Sequence, residues 1–345
     1  MTPDLSAWSE ERLAGQRLMA GFHGTACDAA LERLIAERRL GGLILFRRNI
    51  RTPAQLTQLC SAVQAHALSC GLPPLIIAID QEGGRVARLP PPFTQFPGNP
   101  AMQDESDADR FAAVTAAELT AAGINMNLAP VLDVVPEGFD GVMAGRAFTG
   151  APQRVARMGA AVIEGLQRRG IMAVAKHFPG IGRTILDSHL VRPVLEAELP
   201  ALAACDLIPF RAAVASAVAG VMLSHILYPR LDPDWPASLS RRIVKGLLRR
   251  RLGYEGIVMT DDLEMGAIER CQGFDQTVRR VVKAGVDLAL ICHSREKIER
   301  AFEIMTRTCT SSPTKRRRAE RSVARILAAK QRYLWRENTS ASNPT

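Results

Sequence analysis

The sequence lacks any long apolar run. Hydrophobic residues make up 47% of its 345 positions, yet nothing approaches the roughly 18 consecutive apolar residues that a membrane-spanning helix needs. The amino-terminal residues MTPDLSAWSEERL also lack the basic and apolar blocks of a secretory signal. We therefore expect a cytoplasmic protein that does not insert into a membrane.

Motifs that hold metals or nucleotides are also missing. The seven cysteines are odd in number, are spread over the whole length and never form a CxxC pair. We expect reduced thiols that pack in the interior, without a disulfide framework or a zinc ribbon. The motif GxxxxGK[ST] occurs nowhere, and the glycine-rich segment DQEGGRVARL does not match GxGxxG. A phosphate cradle for a nucleotide is thus poorly supported.

Aromatic residues are scarce, at 5%, whereas the formal charge is +9. Much of the positive excess comes from two clusters, residues 249–251 and 315–318. No aromatic residues interleave with them, as a platform for single-stranded nucleic acid would require. We interpret both clusters as solvated helical faces and expect no nucleic-acid partner. The alternative, a nucleic-acid complex, would weaken steeply with salt.

Short apolar runs alternate with longer amphipathic segments along the chain. The runs predict strands at 17–21, 42–45, 75–79, 124–128, 172–175, 220–223, 256–260 and 286–291. Helices are predicted at 30–39, 53–69, 107–122, 152–169, 205–217, 240–252 and 274–284. Connections of this length favour parallel strands with helices outside. We predict an α/β fold, a single (β/α)8 TIM barrel; the alternative is an open doubly wound sheet.

The carboxyl-terminal part predicts two further helices, one from 295 to about 308 and a last one that ends near Trp335. We assign residues 1–312 to the barrel and 313–345 to a C-terminal helix followed by a disordered polar tail. In a barrel of this kind, the chemistry lies in loops after the carboxyl ends of strands.

One such loop follows the apolar run IMAVA and reads KHFPGIGRTILDSH, residues 176–189. In an extended segment, residues two apart point to the same side, so the Asp187 carboxylate can orient the imidazole of His189. The pair would act as a general acid and base. The alternative is that this Asp-x-His sequence occurs by chance and has no catalytic role.

The segment DQEGGRVARL follows the strand PLIIAI and places Asp80 at the strand tip. Arg85 and Arg88 stand three residues apart, so one helical turn would put them on the same side. Asp80 and Arg88 can bind vicinal hydroxyls of a sugar, since one accepts and the other donates hydrogen bonds. A structural ion pair at the start of a helix is an equally good interpretation.

The segment GIVMTDDLEMGAI places Asp261 and Asp262 directly after another buried strand. Adjacent carboxylates repel each other, and burying them is unfavourable unless each has a use. Asp262 can cap the helix that follows, which leaves Asp261 facing the mouth of the barrel. Asp261 opposite the Asp187–His189 pair suits a double displacement at an acetal carbon, with Asp261 as nucleophile.

These segments together resemble a known family. KHFPG followed by DSH, with DQEGGR, GGLILFRRN, NLAPVLDV and TDDLEMGA, is similar to the β-N-acetylhexosaminidases of glycoside hydrolase family 3, of the bacterial NagZ type. The resemblance covers about residues 15–293 in the same order. It implies a TIM barrel that removes β-linked N-acetylglucosamine with retention, in Gram-negative bacteria from anhydromuropeptides during cell-wall recycling in the cytoplasm.

The resemblance also implies roles for individual residues. Asp261 corresponds to the nucleophile, and His189 with Asp187 corresponds to the acid/base dyad. Residues at sugar-binding positions are Asp80, Arg88, Arg146, Lys176 and His177. No metal or organic cofactor is implied, and we expect a monomer that acts on a small glycan or muropeptide. The chain departs from the family pattern at Ile181, where a histidine is usual, and at Gly145, where an acid is common.

Other interpretations stay open. His177, His189, His225 and Asp187 are a conceivable metal set, but no ligand spacing supports it. Because a neutral imidazole does not repel an anion, phosphate can replace water as acceptor, which would make the protein a phosphorylase. A non-catalytic sugar-binding barrel is the remaining class, although all three candidate catalytic residues are present. We assign His225 to supporting or contacting the sugar, and His23, His66 and His293 to structural roles.

Overall fold

The computed structural model describes residues 4–184 and 193–335, except for the side chains of residues 269–271. Within that part, eight parallel strands close into a barrel in sequence order. They are β1 Leu18–Ala20, β2 Gly42–Leu45, β3 Ile76–Ile79, β4 Met126–Asn127, β5 Met172–Phe178, β6 Gly220–Leu223, β7 Ile257–Asp262 and β8 Leu288–Ile291. The predicted TIM barrel is confirmed, and every predicted strand overlaps an observed one.

Helices surround the barrel. The α-helices are α1 Glu10–Gly15, α2 Ala29–Arg38, α3 Pro53–Ser69, α4 Glu105–Ala121, α5 Pro152–Arg168, α6 Leu199–Ala204, α7 Leu207–Ala215, α8 Gly266–Gln272, α9 Phe274–Ala284, α10 Arg295–Thr310 and α11 Pro313–Tyr333. Helix α3 shows why the boundaries were predictable: Thr52 caps it through the Gln55 N–H, and Pro53 occupies its first turn.

The core has two layers. Alternate strand residues, among them Met19, Ile44, Met172, Val174 and Met259, fill the barrel interior. The intervening residues face outward and pack against the helices. Ile326 of α11 joins the interior cluster, so this helix packs against the barrel. The division at residue 312 stays a prediction, and residues 336–345 lie outside the described part.

The helix predicted over 240–252 is present as a π-helix, Arg242–Arg251, and the Ser240 hydroxyl accepts the Ile243 N–H as expected. Two local predictions are wrong. After β3 the chain makes a short hairpin of Gln81–Gly83 and Val86–Ala87, so Arg85 and Arg88 do not share a helical turn. The hairpin turns on Gly83 and Gly84, whose φ angles are 87° and 58°. Asp262 does not cap a helix, because β7 extends through it.

No helix in the described residues is long and apolar enough to cross a membrane. Six cysteines have described side chains, and all are free thiols. Cys70 is exposed, so not every cysteine packs in the interior as expected.

Candidate active site

On three strands, the residues that face into the barrel are apolar until the last one, which is charged and lies at the mouth of the barrel. The apolar members are Ile76 and Ala78 on β3, Met172 and Val174 on β5, and Ile257 and Met259 on β7. Two residues beyond these pairs stand Asp80, Lys176 and Asp261. Because side chains alternate along a strand, all three continue the inward series. The carboxyl ends of the strands therefore bring them to one face.

A cavity of about 220 Å³ opens at this face. Six of the predicted site residues line it: Asp80, Arg88, Arg146, Lys176, His177 and Asp261. Segments far apart in sequence thus meet in one place. Asp187 and His189 lie outside the described residues, so their placement stays a prediction.

Lys176 is the centre of a buried ionic cluster. It is 2% exposed, and its Nζ lies 2.7 Å from Asp80 Oδ1 and 2.6 Å from Glu82 Oε1. Burial by itself would raise the pKa of Asp80, but the charges of Lys176 and Arg88 outweigh it and lower that pKa to about 2. Burial opposes the charge of Lys176, yet Asp80 and Glu82 raise its pKa. All three groups are therefore ionised at neutral pH.

Two arginines extend this cluster. Arg146 forms a two-pronged contact with Glu82, with Nε–Oε2 and Nη2–Oε1 distances of 3.0 and 2.6 Å. Arg88 Nη2 lies 3.5 Å from Asp80 Oδ2, and its side chain is 31% exposed. Arg146 is thus held by its partner, whereas Arg88 keeps donors free for a ligand. Gly145 lies against Arg85, whose Nη2 would be 2.6 Å from a β-carbon at that position.

His177 is oriented from behind by Asp133. Its Nδ1 lies 2.8 Å from Asp133 Oδ2, and Asp133 is fully buried. The other oxygen, Oδ1, accepts a hydrogen bond of 2.8 Å from the Ile181 N–H. One carboxylate therefore fixes both the imidazole and the start of the following loop, which leaves Nε2 of His177 to face the cavity. Ile181 lines the cavity with an apolar side chain.

Asp261 and Asp262 differ in their surroundings. Asp261 is half-buried, lines the cavity and accepts its neighbour's N–H at 2.8 Å. Asp262 Oδ1 accepts the N–H groups of Glu264 and Cys292, at 3.1 and 3.2 Å. Burial, followed by the charges of Glu264 and Asp261, raises the pKa of Asp262 to about 7. A neutral Asp262 relieves the repulsion that two adjacent carboxylates would otherwise impose.

His225 supports the end of β7. Its Nδ1 lies 2.7 Å from Ser238 Oγ, and its Nε2 lies 2.9 Å from the Asp262 carbonyl oxygen. Burial lowers the pKa of His225, against the opposing charge of Asp261. A neutral imidazole that donates through Nε2 fits both contacts, so His225 positions the backbone on which Asp261 stands.

The rim of the cavity contains residues that sequence reasoning missed. His293, expected to be structural, lines the cavity, and its ring centroid lies 5.6 Å from that of Phe46. Arg48 stacks over Phe46 at 4.4 Å and contacts His293 Nδ1 at 3.3 Å. Phe46 thus offers an apolar wall against which a sugar ring can stack.

Glu82 and Asp133 were also missed, although both stand inside segments singled out above, DQEGGR and NLAPVLDV. The available signal was an acidic residue next to a predicted strand end. Among the described residues, no group of three His, Cys, Asp or Glu side chains could hold a metal ion.

A (β/α)8 barrel with a carboxylate and a cluster of charged hydrogen-bonding groups at its mouth is typical of enzymes that cleave glycosidic bonds. The profile of the family described as "Glycosyl hydrolase family 3 N terminal domain" matches residues 11–329. The chain belongs to glycosyl hydrolase family 3 and is a glycoside hydrolase.

Relatives support the same assignment. A protein named Beta-hexosaminidase from Pseudomonas aeruginosa is 34% identical over 94% of this chain and 96% of its own length. One of the same name from Thiobacillus denitrificans is 40% identical over 81% of this chain and 79% of its own.

Solved structures agree with these relatives. A family 3 β-N-acetylglucosaminidase from Paenibacillus sp. has a TM-score of 0.90 and 40% identity; the match covers 95% of this chain but 63% of that longer one. NagZ from Neisseria gonorrhoeae in complex with N-trifluoroacetyl-D-glucosamine has a TM-score of 0.75 and 30% identity, over 90% and 97% of the two chains.

Proposed function

We propose that the protein is a retaining β-N-acetylhexosaminidase that removes terminal β-linked N-acetylglucosamine. The observation that carries the proposal is the position of Asp261. Its carboxylate ends an inward-facing strand series and opens into the cavity that Lys176, Asp80 and Arg88 line. A sugar held by the charged cluster would present its anomeric carbon to a carboxylate fixed on a rigid strand.

The ionic cluster would bind the sugar hydroxyls. Asp80 accepts hydrogen bonds, while Arg88 and Lys176 donate them, so neighbouring hydroxyl groups find partners of both kinds. Because Lys176 and Asp80 are ionised and already paired, the site is organised before the sugar arrives. His177, held by Asp133, would donate or accept through Nε2.

Catalysis would proceed in two displacements. In the first, Asp261 attacks the anomeric carbon, the bond to the leaving oxygen breaks, and His189 gives that oxygen a proton. In the second, the same His189 takes a proton from water, whose oxygen attacks the anomeric carbon and frees Asp261. Asp187 would orient His189 throughout. Two inversions at one carbon give net retention.

The natural substrate proposed from the family resemblance is an anhydromuropeptide, cleaved in the cytoplasm during peptidoglycan recycling. The Neisseria gonorrhoeae NagZ complex, whose ligand is an N-acylated glucosamine, supports recognition of this kind of sugar by a relative.

The test compares hydrolysis of an aryl N-acetyl-β-glucosaminide by the wild type, Asp261→Ala and His189→Ala, with the aryl glucoside as the substrate control. Asp261→Ala should abolish turnover. His189→Ala should lose less with an activated phenol, since such a leaving group needs little protonation. Asp262→Asn is the matched control, because it removes the neighbouring carboxylate and should remain active.

Azide distinguishes the two roles. With His189→Ala, azide should attack a glycosyl-enzyme and give the β-glycosyl azide; with Asp261→Ala, it should attack the substrate directly and give the α-glycosyl azide. Equal rates for all variants, or loss of activity in Asp262→Asn but not in Asp261→Ala, would refute the assignment. The same assay in phosphate buffer tests the phosphorylase alternative, which requires formation of N-acetylglucosamine 1-phosphate.

A further inference from the structure

A second cleft lies at the other end of the barrel. It has a volume of about 670 Å³, and the π-helix, α9 and α11 contribute to its walls. Its floor is Arg17, which donates to the Val286 carbonyl oxygen at 3.0 Å just before β8 begins. Asp287 accepts the N–H of Val258 near the start of β7. These are the amino ends of the strands, so the cleft faces away from the candidate active site.

Positive charge dominates this cleft. Ten of its sixteen lining residues are Arg or Lys, and two are Asp. Residues 249–251 and 315–318 are predicted to be solvated helical faces, but the structure brings Arg249, Arg250 and Arg318 to the same cleft. Charges of one sign repel each other at this density, so their convergence is unfavourable unless a partner neutralises them.

Some of the charge is neutralised within the chain. The fully buried carboxylate of Asp287 pairs with Arg249 at 2.5 Å and with Arg325 at 3.2 Å. Arg280 stacks over Trp235 at 3.7 Å. These contacts involve Arg249, Arg325 and Arg280, and they do not neutralise the other cations of the cleft.

Among the described residues, eight of the ten lining cations form no ion pair, and six of these eight also have no side-chain hydrogen bond or aromatic contact. These six are Arg241, Arg242, Lys245, Arg250, Arg318 and Arg321. Burial, and then the charges of Arg241 and Arg318, lower the pKa of Lys245. That direction indicates that these side chains share one space, and that the two aspartates of the cleft, Asp232 and Asp234, do not offset the positive charge at Lys245.

We propose that this cleft binds a soluble ligand that carries two or more phosphate groups. Guanidinium groups bind phosphate through paired N–H donors, and nine of the ten lining cations are arginines. A volume of this size falls within the range of small-molecule sites. The ligand would supply the negative charge that the fold itself does not place there.

The shape of the surface favours a small ligand over a macromolecule. The cations surround a recess, and one aromatic residue, Trp235, lines it with Arg280 already stacked on its ring. Single-stranded nucleic acid needs successive free aromatic faces. A membrane surface needs protruding apolar groups as well as charge. The exposed large apolar residues of the described chain, Leu68, Val194 and Trp335, do not line the cleft.

The experiment titrates the full chain with inorganic triphosphate by isothermal titration calorimetry, in chloride buffer at about 0.15 M ionic strength. We expect one site per chain with a dissociation constant below about 100 μM. Arg318→Gln with Arg321→Gln should weaken binding at least about tenfold, since each charge-assisted contact is worth that much. The matched control is Arg33→Gln with Arg211→Gln, two exposed arginines on α2 and α7 that do not line the cleft, which should bind like the wild type.

Other results would overturn the proposal. Binding weaker than about 1 mM, or equal in both double variants, would indicate an adventitious ion only. Tighter binding of a duplex oligonucleotide or of vesicles with anionic lipid, lost in Arg318→Gln with Arg321→Gln, would assign the cleft to a macromolecule. Hydrolysis of the aryl N-acetyl-β-glucosaminide serves as the folding control, because Arg318 and Arg321 lie at the opposite end of the barrel from the candidate active site.

Discussion

The Lys176 ammonium lies 2.7 Å from the Asp80 carboxylate, although 96 residues separate them in the chain. The contact joins the tips of β3 and β5, and Glu82 completes it at 2.6 Å from the same nitrogen. Removing one member of such a cluster leaves a buried charge without a partner, which is far more unfavourable than losing an exposed ion pair. The cluster therefore links the stability of the barrel to the integrity of the proposed sugar site.

Lys176→Met should accordingly destabilise the fold. The substitution keeps the apolar stem but leaves two nearly buried carboxylates facing each other, for an expected loss of about 3–5 kcal/mol in the free energy of unfolding. Urea denaturation at pH 7 measures this loss. Lys176→Met combined with Glu82→Gln and Asp80→Asn should recover part of it, because all three charges are then gone.

Arg88→Met provides the contrast. This guanidinium is partly exposed and 3.5 Å from Asp80, so its loss should change the free energy of unfolding by less than about 1 kcal/mol. Its free donors are proposed to bind the sugar, so KM should rise by about tenfold or more. Equal stability losses in Arg88→Met and Lys176→Met would contradict this division.

The orientation of His177 yields another prediction. In Asp133→Asn, one acceptor oxygen replaces two, so the amide cannot accept from both His177 Nδ1–H and the Ile181 N–H; with its oxygen on the Ile181 N–H, its NH2 group donates to Nδ1 and favours the opposite tautomer of His177. We expect kcat/KM to fall about tenfold to a hundredfold as Nε2 changes its hydrogen-bonding role. The ¹⁵N chemical shifts of His177 report its tautomer. If they match the wild type while activity falls, Asp133 acts in some other way.

Gly182 has no room for a side chain. A β-carbon there would lie 2.0 Å from the carbonyl oxygen of Val134, so Gly182→Ala must displace backbone. Because the chain continues from here towards Asp187 and His189, we expect kcat to fall by more than about tenfold. Gly246→Ala is the control, since its nearest contact is the tip of the Arg250 side chain at 3.8 Å. An active Gly182→Ala protein would show that the path of this loop is not critical.

Sequence patterns predicted the barrel because each buried strand is a short apolar run between turns. The predicted strand ends are wrong where a charged residue interrupts the apolar run. Strand β5 extends to Phe178, beyond the predicted end at 175, although its pairing with β6 shifts register between Ala175 and Phe178. Lys176 and His177, in this irregular part, contact partners from other segments. The same alternation, applied past the apolar residues, also predicts that Asp80 and Lys176 face inward, as the sequence already indicated for Asp261.

The missed residues depend on contacts that no local pattern contains. Glu82 can be recognised as a site residue only when its contacts with Arg146 and Lys176 are known. Asp133 can be recognised only from its contact with His177. The hairpin at 81–87 was mistaken for a helical turn because the spacing of Arg85 and Arg88 suits a helix. The adjacent glycines, Gly83 and Gly84, adopt positive φ and form the turn of a hairpin instead.

The raised pKa of Asp262 predicts a specific pH dependence of stability. The folded-state pKa is about 7 and the ordinary value is 3.8, so between these limits the folded state holds a proton that the unfolded chain has released. Stability therefore falls as pH rises from about 4 to 7, through this residue.

Asp262→Asn should remove that dependence. Its amide oxygen can still accept the N–H groups of Glu264 and Cys292, so the local contacts survive. The variant should match the wild type at pH 4 and exceed its free energy of unfolding by about 2–4 kcal/mol at pH 8. Urea denaturation of both proteins across this range gives the difference, in which the titration of groups that do not contact Asp262 cancels. A constant difference from pH 4 to pH 8 would show that Asp262 titrates as an ordinary aspartate and that its surroundings do not hold it protonated.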